Sequence, residues 1–245
     1  MKRFLLLGLF LVAALAQARA EITPESLWPL PKIAPGENPA TVPVPKIDWV
    51  TRFQENLNRT KGKKFDLVFD GDSITDFWQD KGKEVWKKYY GSIPAADFGI
   101  SGDKVEHLLW RLQQGQVEGM DPKLIVLMIG TNNTGRDSAD QIAKGIKAAV
   151  NEYLQRCPHA HVLLLGVFPR ATSAADPVRS KIADINKEIA GLEGERVIYL
   201  DLGPKLLEPD GTLSADVMPD HLHPSAKGYE IWAEAIQPIV EKYCK

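Results

Sequence analysis

Between Leu124 and Ile129 six apolar residues follow one another with no polar interruption. A run this short and uniform reads as a strand covered on both faces, since a half-exposed strand would alternate. The rest of the chain supplies the cover. Trp49, Phe53 and Leu57 have helical spacing with Gly62 as a stop; residues 65–69 are a strand candidate, and residues 104–114 read as a helix. Residues 139–155 then read as a helix, 161–167 as another buried strand, 177–192 as a helix, 196–200 as the last strand and 225–243 as the last helix. A strand before each helix, repeated about five times, predicts an α/β fold: a parallel sheet with helices on both faces. With 245 residues, 44% of them hydrophobic, such a core needs no disulfide or structural metal. In such sheets ligands bind beyond the carboxyl ends of the strands. The 30 Lys+Arg against 32 Asp+Glu include no basic block, which argues against a nucleic-acid partner.

The chain begins with a segment that does not belong to this pattern. Lys2 and Arg3 precede an apolar run over residues 4–16, and Ala18-Arg19-Ala20 offers small residues at a cleavage point before Glu21. Residues 1–20 therefore read as a signal peptide, and the mature protein as secreted or periplasmic. No later stretch approaches the roughly 20 apolar residues of a membrane span, so stable membrane insertion is not expected. Residues 21–45 hold seven of the 17 prolines and are expected to run extended over the surface. Residues 46–245 form the domain. In an oxidising compartment Cys157 and Cys244 could pair, tying a mid-chain helix end to the C-terminus.

Four short motifs fall at strand ends. Asp70-Gly71-Asp72-Ser73-Ile74-Thr75 follows the first strand and sets Ser73 on a tight turn into a helix, where it serves either as an exposed nucleophile or as an N-cap. Thr75 breaks the Gly-x-Ser-x-Gly pattern of an α/β-hydrolase elbow. In Phe98-Gly99-Ile100-Ser101-Gly102-Asp103 the glycines can bring backbone N–H groups to a ligand. In Gly130-Thr131-Asn132-Asn133-Thr134 the Asn132 amide is a candidate donor to a developing oxyanion, or else an Asx turn. In Asp220-His221-Leu222-His223-Pro224 the carboxylate of Asp220 can orient the imidazole of His223. A solvated turn, or a metal site built from Asp220, His221 and His223, competes with that reading. Jointly the motifs place a nucleophile, two oxyanion donors and an Asp–His pair at the ends of successive strands.

Gly71-Asp72-Ser73-Ile74-Thr75, Gly99-Ile100-Ser101-Gly102-Asp103, Gly130-Thr131-Asn132-Asn133 and Asp220-His221-Leu222-His223 resemble the four blocks of the SGNH (GDSL-type) hydrolases. Residues 107–112 and 167–170 are most similar to the platelet-activating-factor acetylhydrolase catalytic-subunit branch. The resemblance implies a flavodoxin-like three-layer α/β/α sandwich with a five-stranded parallel sheet. It implies Ser73 as nucleophile, with oxyanion donors from the Ser73 and Gly102 backbone and the Asn132 side chain. His223 would be the base and Asp220 its orienter, with Asp72 and Arg170 as structural neighbours. Ser101 stands where close relatives often carry Gly.

The function implied is an exported serine esterase that removes short acyl groups, acetyl above all, from carbohydrate. A lysophospholipase or platelet-activating-factor-type lipid esterase is the alternative, and broad arylesterase or thioesterase activity follows. A glycan-binding scaffold would be expected to have lost Ser73, Asn132, Asp220 or His223, and all four are present. No metal or organic cofactor is expected. The partner is a small-molecule or glycan acyl ester, and branch members that dimerise make a homodimer a further expectation.

Overall fold

The computed structural model describes residues 21–245; the signal-peptide reading of residues 1–20 lies outside them. Five parallel strands, β1 (Leu67–Gly71), β2 (Ala95–Asp97), β3 (Leu124–Met128), β4 (His161–Leu165) and β5 (Val197–Leu200), form one sheet in the order β2-β1-β3-β4-β5. The helices are α1 (Val50–Thr60), α2 (Ser73–Asp76), α3 (Lys83–Tyr90), α4 (Val105–Gln113), α5 (Ala139–Arg156), α6 (Pro177–Ala190), α7 (Gly203–Leu206) and α8 (Ala226–Cys244). The fold is thus the expected α/β sandwich.

Alternation along each strand sends side chains to opposite layers. Val68, Ile125, Leu127, Val162 and Leu164 pack under α4, α5 and α6. Leu67, Phe69, Val126, Met128, Leu163 and Leu165 pack under α3 and α8, where Phe69 meets Trp86 edge-on with ring centroids 5.0 Å apart. Every β3 side chain is buried, as the unbroken apolar run requires. Helix α1 lies outside α4, with Phe53 against Trp110 at 5.3 Å.

Three helices escape the periodicity reading. α2 and α7 are single turns of four residues, and α3 carries Lys83, Glu84, Lys87 and Lys88 around a narrow apolar stripe. Residues 21–45 hold no α-helix or strand and bend into 3-10 turns at Glu25–Leu27 and Pro39–Thr41. They are also more than surface: Ala40 is fully buried in the core beneath α4 and α5.

The cysteines are free. Cys157 ends α5 in one layer and Cys244 ends α8 in the other, so the sheet separates the thiols. Burial pushes both up to about 11, which keeps them protonated and unreactive.

From β1 the chain goes outward to β2 and then returns past β1 to β3. The connections after β1 and β3 therefore leave in opposite directions, and the carboxyl ends of these two strands flank the crevice where such sheets take ligands.

Candidate active site

The turn after β1 is set by crowding. A Cβ on Gly71 would lie 2.1 Å from the Met128 carbonyl oxygen on β3 and 2.4 Å from Thr75 Oγ1, so only glycine fits. The next residue, Asp72, caps α2: its Oδ1 accepts from Ile74 N at 3.0 Å. Ser73 is therefore the first helical residue, not the cap, and its hydroxyl is left for another partner. That partner is His223, whose Nε2 lies 2.9 Å from Ser73 Oγ across 150 residues of sequence.

His223 is held from behind. Its Nδ1 lies 2.6 Å from Asp220 Oδ2, while Asp220 Oδ1 accepts from the backbone N–H of His223 at 2.7 Å and of Leu222 at 3.1 Å. Burial alone would raise the Asp220 carboxyl, but the hydrogen bonds from the His223 ring and backbone hold it at about 2. It is therefore a carboxylate that can only accept, which places the imidazole proton on Nδ1 and leaves Nε2 to accept from the serine hydroxyl. His221, the other histidine of the motif, turns its Nδ1 to the Leu213 carbonyl at 3.1 Å and does not join the pair. Among the described residues no group of three or more His, Cys, Asp or Glu is arranged to hold a metal ion.

The Ile100–Asp103 turn packs beside the serine through Ile100 N donating to Gly71 O at 3.2 Å. Ser101 stiffens this turn: its hydroxyl donates to Asp76 Oδ2 at 2.6 Å, at the far end of α2. Past β3, the two asparagines separate in role. Asn133 is buried, donating to Glu106 and Asp137 and accepting from Val105 N. Asn132 stays half-buried at the mouth, its Nδ2 steered by one hydrogen bond to the Asp103 carbonyl at 2.8 Å. Its second amide hydrogen is the one available to an oxyanion.

Beneath these loops lies a buried ion network that no sequence motif announces. Arg111 Nε donates to Asp103 Oδ2 at 2.8 Å and its Nη2 to Asp70 Oδ1 at 3.0 Å. Gln116 bonds both Arg111 and Asp70, and the Tyr153 hydroxyl donates to Asp70. One guanidinium thereby joins the end of the nucleophile strand to the loop that carries Gly102 and aims Asn132. Burial pushes both carboxyls up, Asp103 to about 6, and the adjacent Arg111 opposes it. Arg111→Met leaves two buried carboxylates without their cation, and stability is expected to fall by about 3–5 kcal/mol, read from urea unfolding. A loss below about 0.5 kcal/mol would mean that the pairing of Arg111 with these carboxyls contributes no net stability.

Asp72 is a further buried acid here, with Oδ2 unpartnered. Burial pushes it up to about 7, the nearby Asp103 adding to the effect. A raised carboxyl is a cost that grows with pH: the unfolded chain gives up this proton near pH 4 and the folded chain holds it to about pH 7. Between those values wild type should lose stability relative to Asp72→Asn, by at most about 4 kcal/mol, with a plateau above. Denaturant midpoints of both proteins at pH 4, 5.5 and 8 measure it; a difference that stays constant would place the Asp72 proton elsewhere.

A cleft of about 580 Å³ opens beside Asn132, lined by Thr131, Thr134, Arg170, Asp176 and Lys181. Across Arg170 a second hollow of about 480 Å³ reaches Asp220 and Leu222. Arg170 is the ridge between them, its Nη1 3.4 Å from the Thr131 carbonyl and hydroxyl. The arrangement is that of a serine hydrolase: hydroxyl, imidazole and carboxylate in a relay, at the carboxyl ends of a parallel sheet.

Comparison with known proteins agrees. Residues 69–231 match the GDSL-like Lipase/Acylhydrolase family. The chain is 36% identical over 212 residues to platelet-activating factor acetylhydrolase IB subunit alpha1 of Homo sapiens, covering 83% of this chain and 90% of that one. It shares its fold with a GDSL-like lipase from Bacteroides thetaiotaomicron (TM-score 0.64, 22% identity, 80% of this chain and 96% of the other). An acetylxylan esterase from Geobacillus stearothermophilus also has this fold (TM-score 0.57, 21% identity, 72% and 94%). The protein belongs to the GDSL-like lipase/acylhydrolase family and is a hydrolase of carboxylic esters.

Proposed function

We propose that this protein is an exported serine esterase that removes acetyl and similarly short acyl groups from carbohydrate. The observation that carries the catalytic part is the unbroken Ser73–His223–Asp220 relay at 2.9 and 2.6 Å. In that reading His223 Nε2 takes the proton as Ser73 Oγ attacks the ester carbonyl. The Ser73 and Gly102 N–H groups and the Asn132 amide receive the negative charge on the carbonyl oxygen. His223 then protonates the departing alcohol, and on the return half-cycle it activates the water that frees the acid.

The carbohydrate part rests on the cleft. Beside Asn132 it offers the hydroxyl and charged groups of Thr131, Thr134, Arg170, Asp176 and Lys181 to a hydroxyl-rich alcohol, next to an apolar wall of Ala171, Pro177 and Val178. The acetyl part draws on the relatives, since both the human acetylhydrolase subunit and the acetylxylan esterase carry that acyl group in their names. A second reading, cleavage of an acetyl-bearing phospholipid, is favoured by the 36% identity to the former. Export is supported by the leader-like residues 1–20.

Acetate release by wild type and Ser73→Ala, with a chelator present, from acetylated xylan and from an acetyl-bearing phospholipid analogue separates these readings. Ser73-dependent release from xylan alone supports the first, and from the phospholipid alone the second. Silence of the folded protein on both would turn attention to another ester.

A further inference from the structure

The proline-rich segment threads across the helices before it reaches the site. Asn38 Nδ2 donates to Gln141 O on α5 at 2.9 Å, Ala40 is buried, and Val44 N donates to Glu106 O on α4 at 3.2 Å. Two residues later Lys46 arrives at the Ile100–Asp103 turn. Its Nζ donates to the Ser101 carbonyl at 2.5 Å and stands so close over Gly102 that an added Cβ would lie 2.4 Å from it. Lys46 precedes the family match, which begins at residue 69.

The Ser101 carbonyl and the Gly102 N–H belong to one peptide unit, and in a trans peptide they point in opposite directions. The turn is closed by Asp103 N donating to Ile100 O at 3.0 Å. Gly102 has φ +76° while Ser101 is absent from the positive-φ residues, the pattern of a type II turn. Types I and II differ in the orientation of the middle peptide, here Ser101–Gly102. Glycine accepts either form at little cost, so residue 102 itself does not choose. The bonds from Ser101 N and Oγ to Asp76 fix the serine and the peptide before it, not the peptide after it. The ammonium of Lys46 does choose: a charge-assisted bond to the Ser101 carbonyl is lost if the peptide turns over, and while present it polarises the amide and makes its N–H a better donor.

We infer that Lys46 is a positioning residue for the reaction, holding the Ser101–Gly102 peptide so that the Gly102 N–H faces the oxyanion. This rests on the reading of Gly102 as an oxyanion donor.

The test is steady-state kinetics on 4-nitrophenyl acetate for wild type, Lys46→Met, Lys46→Arg and Ser73→Ala, with thermal unfolding of each. Lys46→Met should lower kcat about tenfold with KM changed by less than about twofold, because the donor serves the transition state more than the bound ester. Lys46→Arg, still able to reach the carbonyl, should restore most of kcat. Should the methionine variant fold poorly, Lys46→Ala is expected to show the same kcat loss. A kcat within about twofold of wild type, a loss confined to KM, or no recovery by arginine overturns the role of Lys46, provided Ser73→Ala is inactive. Substantial turnover by Ser73→Ala overturns the esterase mechanism itself.

Discussion

Replacing Ser73 with alanine is expected to lower kcat by about five to six orders of magnitude and leave the fold unchanged. The serine is 93% shielded by its surroundings (7% exposed), yet the helix beneath it does not depend on its hydroxyl, because Asp72 supplies the cap. Removing one oxygen therefore deletes the nucleophile without loosening α2. Circular dichroism and the urea midpoint should match wild type. Activity on 4-nitrophenyl acetate should drop to the level that bare oxyanion donors and binding provide, about 10³-fold over water. Substantial residual turnover with normal folding would show that another group attacks the ester.

Asp220→Asn is expected to cost about 10³ to 10⁴ in kcat, for a reason the hydrogen bonds make explicit. Asparagine keeps an oxygen to accept from His223 N and Leu222 N, so the turn survives. The amide nitrogen then replaces Oδ2 opposite His223 Nδ1, and a donor cannot face a donor. The ring must move its proton to Nε2, the nitrogen that has to accept from Ser73. The variant should bind substrate with near-normal KM and turn it over slowly, and Ser73→Ala added on top should reduce kcat far less than it does alone. Full activity in Asp220→Asn would place the orienting group elsewhere.

The sequence announces the parts of this molecule whose signals are local. A strand buried on both faces has no polar residue to interrupt it, so β3 and β4 stand out, and glycine-bearing turns at their ends mark where side chains meet ligand. The same logic brings Ser73, His223 and Asp220 onto one edge of the sheet. Spacing does not say which of Asp72 and Ser73 caps a helix, nor which of Asn132 and Asn133 is consumed by Glu106 and Asp137; those outcomes depend on contacts far along the chain, Ser73 with His223 150 residues away and Asn133 with Val105 and Glu106 at 28 and 27. Arg111 is hidden for a related reason. In α4 it follows Trp110 and precedes Leu112, and a charge in a helix is normally solvated. Only the fold reveals that two aspartates from separate strand ends converge on it. The thiols gave no positional signal, and the sheet between them decides their state.

The proposed base and its orienter lie three residues apart, and Asp220 also ties down the backbone of His223. The pair is thus specified within a single loop, which Ala171, Leu213 and Met218 buttress through His221. It meets Ser73 through the Nε2–Oγ contact at 2.9 Å, with the His223 ring also packed on Phe77 at 5.0 Å. The walls of the cleft beside Asn132 that Thr134, Pro177, Val178 and Lys181 supply are separate from this loop, whereas the second hollow is built partly from Asp220, His221 and Leu222. Changes made on the Asn132 side of Arg170 are therefore expected to alter the preference for the alcohol half of an ester with less cost to its cleavage than changes on the Asp220 side.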